Sequence, residues 1–296
     1  MTAGPRVVAI GGGHGLAASL SAVRRYAGQV TAIVSVADDG GSSGRLRADY
    51  GVAPPGDLRR CLVALAEPGS LWAEAFDHRF DGGELSGHAL GNVVIAGLAA
   101  VTGDFGAALA EAGRLLGVRG TVLPATADPV VLKALVKAPN GADGSVEGQV
   151  AVARTGHIAA VSLVPADAEP PAAALDALAA ADQVVVGPGS LFTSVLAVVA
   201  VPALRRALAA TGARKVYVCN LRQQVPETAG YDVADHVDAL RAHGLEVHDV
   251  LCHPGALPLG DLGSDAVRFV EAPVARPDSL GHDPDKLASA LSDLVG

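Results

Sequence analysis

Two adjacent acids, Asp38 and Asp39, follow an apolar, β-branched run over residues 30–36 and lead into Gly40-Gly41-Ser42-Ser43-Gly44-Arg45. Carboxylates placed there are costly unless they meet water, hydrogen-bond donors or a metal. The glycines and serines supply donors, and Arg45 and Arg47 add positive charge. An acid beside a phosphate-binding loop is the make-up of a Mg²⁺–phosphate site, with Asp38 as the metal contact. An acid after a second strand can instead hold a ribose hydroxyl. The plain alternative is a solvated Asx turn.

Five further segments carry residue types of this kind. Gly11-Gly12-Gly13-His14-Gly15 lets backbone N–H groups approach a phosphate at a helix start. It is neither a GKS/T P-loop nor a full GxGxxG fingerprint, since Leu16 stands where the last glycine would be. In Pro54-Pro55-Gly56-Asp57, Asp57 reads as an N-cap, and Arg59 rather than Arg60 as the inward-pointing arginine. His88 and Asn92 are four apart and share a helix face. Asn92 therefore needs either a ligand or an internal hydrogen bond. Gly187-Pro188-Gly189-Ser190 repeats the strand-to-helix glycine turn, with Ser190 either capping or binding an anion. Asn220, at another strand end, can read a base or sugar edge. The sequence has no HExxH, GxSxG or CxxC, and Cys61, Cys219 and Cys252 are odd in number and far apart.

The elements that must position these loops read as an α/β chain. Residues 6–10, a helix from about Leu16 to Val23 and residues 30–36 make a first βαβ unit. Helical spacing covers 57–66, 71–80, 88–101 and 105–116. Strand-like runs follow at 120–125, 130–136, 148–154 and 158–163, with a turn at 139–144 suggesting a small antiparallel excursion. Later come a helix at 172–181, a strand at 183–186, a helix from about 191, a strand at 215–219, a helix at 233–242, a strand at 247–252 and a closing helix at 284–294. The expectation is one Rossmann-like, doubly wound domain over 1–296. Its sheet is mostly parallel, with a helical and β-hairpin subregion inserted at about 57–165. Ligands are then expected at the carboxyl edge of the sheet.

With 296 residues and 50% of them hydrophobic, the chain can bury a sizeable core. Its net charge of −9 argues against nucleic acid as a partner. No charged n-region precedes a long apolar stretch, and the longest apolar runs are shorter than a membrane span. The expected setting is cytoplasmic, away from membranes. A homo-oligomer is compatible with all of this.

Taken together and in order, seven segments are specific. They are Gly11-Gly-Gly-His-Gly-Leu16, Ser35-Val-Ala-Asp-Asp-Gly-Gly-Ser-Ser-Gly-Arg-Leu-Arg47, Pro55-Gly-Asp-Leu-Arg-Arg-Cys-Leu62, Gly87-His-Ala-Leu-Gly-Asn92, Leu123-Pro-Ala-Thr126, Gly187-Pro-Gly-Ser-Leu-Phe-Thr-Ser194 and Val218-Cys-Asn-Leu221. The set resembles the YvcK-type gluconeogenesis-factor family, a relative of the 2-phospho-L-lactate transferase (CofD) family. The resemblance runs over about 6–295 and is strongest before residue 95. It implies a Rossmann-like regulator that binds a nucleotide-sugar of the UDP-N-acetylglucosamine type and acts in carbon flux, cell-wall synthesis and cell shape. The alternative it implies is a Mg²⁺-dependent transferase moving a phospholactate or phosphoenolpyruvate group onto a deazaflavin acceptor, with the acid pair at Asp38 and Asp39 serving metal and phosphate. Mg²⁺ is the one cofactor these residues point to. The chain departs from the family pattern at His14, where Thr is common, at 222–228, and at Gly281, where an Arg commonly precedes His282-Asp283; the Tyr common nearer the C-terminus is also missing.

Overall fold

Strands that are apolar at almost every position are stable only with both faces covered, which is the situation of a parallel sheet between helices. The computed structural model describes residues 4–137, 143–261, 267–278 and 281–295. Ten strands lie among them: β1 (Arg6–Gly11), β2 (Gln29–Val34), β3 (Thr121–Pro124), β4 (Val131–Lys137), β5 (Asp143–Glu147), β6 (Ile158–Val164), β7 (Gln183–Val186), β8 (Arg214–Val218), β9 (Asp249–Cys252) and β10 (Arg268–Glu271). β1 and β2 are exposed only at their first residue, and β7 and β9 are buried throughout.

Seven strands form a parallel sheet in the order β10-β9-β8-β7-β1-β2-β3. The chain winds outward from β1 to β3 on one side, then from β7 to β10 on the other, so the order reverses between β1 and β7. Ile10 pairs with Ile33 of β2 and with Val186 of β7. The loops after these three strands therefore leave the sheet side by side. The helix Gly13–Val23 crosses from β1 to β2 and buries Leu16, Leu20 and Val23 completely. Each such side chain contributes about 1.5–3 kcal/mol relative to exposure. At the opposite edge the buried carboxylate of Asp249 accepts from Arg214 and Arg268 at 2.7 Å each, tying β8, β9 and β10 together.

The small second sheet is antiparallel, in the order β5-β4-β6. Here the structure corrects the sequence reading. The second hairpin strand is Asp143–Glu147, and the stretch at 148–154 is a short helix, Gln149–Ala153. Gly148, at φ +96, turns the chain out of the strand, and alternating Val150 and Val152 had imitated a strand's period. Most of the turn expected at 139–144 falls outside the described residues. Three elements went unread. Gly41–Tyr50 is a helix with almost no apolar stripe, Pro202–Ala210 begins on a proline, and β10 is a short edge strand. Among the described residues no single helix is long and apolar enough to cross a membrane.

Candidate functional site

The helix Gly13–Val23 starts directly at the end of β1, with Gly12 extended and Gly13 at φ +63. Two glycines here are dictated by close approach. A Cβ on Gly15 would collide with the Pro188 carbonyl oxygen, and one on Gly12 would crowd the carboxylate of Asp57 and the hydroxyl of Ser194. The glycine loop is thus pressed between the loop at 187–190 and the start of a third helix.

Three helices open on the same space: Gly13–Val23, Gly41–Tyr50 and Gly56–Leu65. None is capped by its own N-cap residue, although Asp57 takes the Gly13 N–H and Ser43 Oγ the Gly56 N–H, and the partial positive charge of all three starts faces the opening. The cavity between them has a volume of about 420 Å³ and lies outside the carboxyl ends of β1, β2 and β7. Its walls include Gly12, Gly13, Gly15, Asp38, Gly40, Gly41, Ser42, Ser43, Arg59, Asn92, Gly189 and Ser190, all expected from sequence. They also include His14, Gly56, Asp57, Arg60, Arg79, Gln149, Ser194 and Gln224.

The two neighbouring aspartates diverge. Asp38 lines the cavity and accepts the N–H of Gly40 at 3.0 Å. Asp39 turns to the hairpin subregion and accepts the N–H of Val150 at 2.9 Å, holding the start of the helix Gln149–Ala153. Asp57 is not the N-cap that the sequence suggested: Pro55 occupies that position. Its carboxylate instead accepts from Arg60 at 2.7 Å and from the Gly13 N–H. Burial pushes the Asp57 carboxyl up; the neighbouring charge of Asp38 adds to this, while Arg60 and the Gly13 amide pull it back.

Arg59 is only 2% exposed and organises the floor. It donates to Asn92 Oδ1 at 3.1 Å and pairs with Asp77. Asn92 Nδ2 in turn donates to Ser42 Oγ at 3.0 Å, and Ser42 Oγ lies 3.0 Å from His88 Nδ1. The Ser42 hydroxyl accepts from Asn92 and keeps its own hydrogen to donate to Nδ1 of a neutral His88. Burial and then Arg45 hold that imidazole below the usual histidine range. Asn92 is thus satisfied by side chains rather than by backbone. Ser43 Oγ accepts the Gly56 N–H at 3.1 Å. His88 stands behind the wall, and Arg45 donates to the Ser86 carbonyl at 2.8 Å, away from the cavity.

The fifth loop is braced from the segment after β8. Asn220 uses both ends of its amide on Gly189, accepting its N–H at 3.1 Å and donating to its carbonyl at 2.9 Å. Gln224 donates to Ser190 Oγ at 3.2 Å. Behind the loop one π-turn, Leu191–Val195, runs into Leu196–Val199. Its start is occupied by the buried carboxylate of Glu227, which accepts from Phe192 N at 2.7 Å, Thr193 N at 3.2 Å and Thr193 Oγ1 at 3.3 Å. Gly187 lies in the turn behind these walls, where its carbonyl accepts from Ser19 at 2.6 Å, and Gly11 ends β1. Asn220 faces an adjoining cavity of about 660 Å³ that shares His14, Gly15, Gly189 and Gln224 with the first and adds Arg222, Arg276, Gly281 and His282. Burial takes the His282 imidazole down to about 4. Among the described residues no three His, Cys, Asp or Glu side chains group to hold a metal ion.

The fold and this cavity define a doubly wound α/β protein whose switch-point crevice is lined by helix N-termini. Residues 7–263 match the family model of the 2-phospho-L-lactate transferase CofD, and the chain belongs to that family, on the branch of the gluconeogenesis factors. It is 48% identical to a putative gluconeogenesis factor of Mycobacterium leprae, over 97% of this chain and 85% of that one. It is 37% identical to the gluconeogenesis factor of Bacillus subtilis, over 98% of both. A crystal structure of a member of the UPF0052 family from Bacillus halodurans matches with a TM-score of 0.86 and 38% identity, covering 96% of this chain and 97% of that one.

Proposed function

We propose that this chain binds a nucleoside diphosphate sugar of the UDP-N-acetylglucosamine type through its phosphates. Occupancy rather than turnover is its output, in the cytoplasmic control of carbon flux, cell-wall synthesis and cell shape. The observation that carries the binding half is the meeting of three helix starts, at Gly13, Gly41 and Gly56, on one polar cavity. Such starts attract phosphate by their N–H groups and their dipoles. The adjoining cavity gives a ligand longer than a diphosphate somewhere to extend. The regulatory half is supported by the gluconeogenesis factors to which the chain is similar. A regulator needs only a ligand that prefers one of two conformations.

Mg²⁺ fits the donor set. Asp38 faces the cavity close enough to Asp57 for its charge to raise the Asp57 carboxyl, and a divalent cation relieves that repulsion. Asp38 would hold the ion, with ligand phosphate oxygens and water completing the octahedron. Once bound, it would neutralise phosphate charge. The same carboxylates, with the CofD family match, favour a second reading: Mg²⁺-dependent transfer of a phospholactate-type group to a deazaflavin acceptor.

A thermal-shift panel of UDP-N-acetylglucosamine, other UDP-sugars, GTP, NAD and phosphoenolpyruvate, with and without Mg²⁺, separates these readings. A ligand at about 100 times its dissociation constant adds roughly 2.7 kcal/mol of stability. UDP-N-acetylglucosamine is expected to stabilise the protein and to be recovered intact by mass spectrometry. Steady multiple turnover, of that compound or of phosphoenolpyruvate with GTP and a deazaflavin, defeats the regulatory reading.

A further inference from the structure

One imidazole stands where the two cavities meet. His14 lies in the first turn of the helix Gly13–Val23 and lines both the cavity between the helix starts and the adjoining one. It is the one residue in the glycine loop whose side chain can reach a ligand, the other four being glycines. The groups around it are mostly cationic. Arg59 and Arg60 come from the helix Gly56–Leu65, with Asp57 in the same turn. Asp77 ends the helix Leu71–Asp77, and Arg79 follows it. Across the adjoining cavity stand Arg222, Arg276 and His282.

Asp57 and Asp77 are already engaged by Arg60 and Arg59, which leaves Asp38, on the wall of the same cavity, as the carboxylate that opposes these cations in the empty site. Burial, then Arg60, lowers the His14 imidazole; Asp77 opposes and Arg59 adds to the lowering. A diphosphate reverses this local field. A nucleoside diphosphate sugar carries two phosphate charges and, both phosphates being esterified, no proton of its own that titrates near neutrality. Placed at this helix start, it sets anionic oxygens against the imidazole and rewards its protonated form.

We propose that His14 takes up a proton as the diphosphate of a nucleotide sugar binds, making it a ligand-contacting residue that ties occupancy to pH. This rests on the nucleotide-sugar reading and deepens it. By linkage, affinity rises as pH falls through the imidazole's bound-state value. The slope approaches a tenfold gain per pH unit and levels off below its free-state value.

The test is calorimetry of UDP-N-acetylglucosamine at pH 7 in Mg²⁺-free buffers of low and high ionisation heat, such as PIPES and Tris, repeated from pH 6 to 8. The expected result is uptake of a substantial fraction of one proton and a dissociation constant that climbs with pH. In His14→Gln and in His14→Thr the uptake vanishes and the pH slope flattens, whereas a substitution of the exposed His157, His157→Gln, outside both cavities, retains both. Binding by the unmodified protein without proton uptake, or uptake that persists in both His14 variants, overturns the role of His14 and leaves the nucleotide-sugar reading standing. No binding by the unmodified protein at millimolar ligand overturns both.

Discussion

Glu227 offers the sharpest test of how the loop at 187–194 is held. Its buried carboxylate accepts three hydrogen bonds, from Phe192 N, Thr193 N and Thr193 Oγ1. Glu227→Ala strands two backbone N–H groups in a buried place, at about 1–3 kcal/mol each, while the Thr193 hydroxyl can rotate to another acceptor. The expected loss is about 3–4 kcal/mol. Glu227→Gln keeps one oxygen for both amides and turns its NH₂ toward the Thr193 hydroxyl, so about 1 kcal/mol is lost. Burial raises the Glu227 carboxyl above the usual range, with the three donors pulling the other way. A group raised on folding is most stabilising below its unfolded value of about 4.3, and that contribution is lost as pH rises through the folded value. The Gln variant has no such loss, so its deficit shrinks as pH climbs from 4 toward neutrality. Urea unfolding at several pH values, read as a shift in midpoint at constant slope, measures all of this. An Ala variant within 1 kcal/mol of the unmodified protein, or a Gln deficit that widens with pH, refutes the reasoning.

The other predictions concern the cavity itself. Asp38→Asn keeps the shape and removes the charge, and is expected to abolish the Mg²⁺-dependent part of nucleotide-sugar binding in calorimetry while metal-free binding persists. Gly13→Ala places a Cβ in open space but at φ +63, costing about 1–2 kcal/mol, whereas Gly15→Ala drives its Cβ into the Pro188 carbonyl and is expected to cost more; comparing the two unfolding midpoints checks the order. Asn92→Leu leaves buried donors of Arg59 and the hydroxyl of Ser42 short of partners, at about 2–4 kcal/mol in denaturation, and weakens ligand binding because the start of the helix Gly41–Tyr50 loses its anchor.

The placement of the loops was legible in the sequence because glycines, acids and hydroxyls concentrate at the ends of apolar runs. That pattern is local, and so is the choice of Arg59 as the inward arginine. Orientation and long-range pairing were not legible. Nothing in Asp57 signals that its carboxylate receives the N–H of Gly13, 44 positions earlier in the chain. Glu227 sits in a polar stretch that reads as surface, and only the tertiary fold brings it beneath Phe192. The helix Gly41–Tyr50 escaped because its sequence, GSSGRLRADY, lacks the apolar stripe that periodicity detects. The helix Gln149–Ala153 was lost because five residues give too little length to separate a period of two from one of 3.6.

The divergence of Asp38 and Asp39 has a genetic consequence. Two identical residues joined by one peptide bond serve different parts of the molecule, one facing the cavity between the helix starts and the other clasping the N–H of Val150. A screen for lost function would collect substitutions at both and, judged by phenotype alone, would score them as one hot spot. Measured protein abundance would part them. Asp38 variants accumulate to normal levels and lose the Mg²⁺-dependent part of their response to ligand. Asp39 variants loosen the hairpin subregion and are cleared by the cell's proteases in proportion to the fraction unfolded. At this position the boundary between a binding defect and a folding defect runs through a single dipeptide.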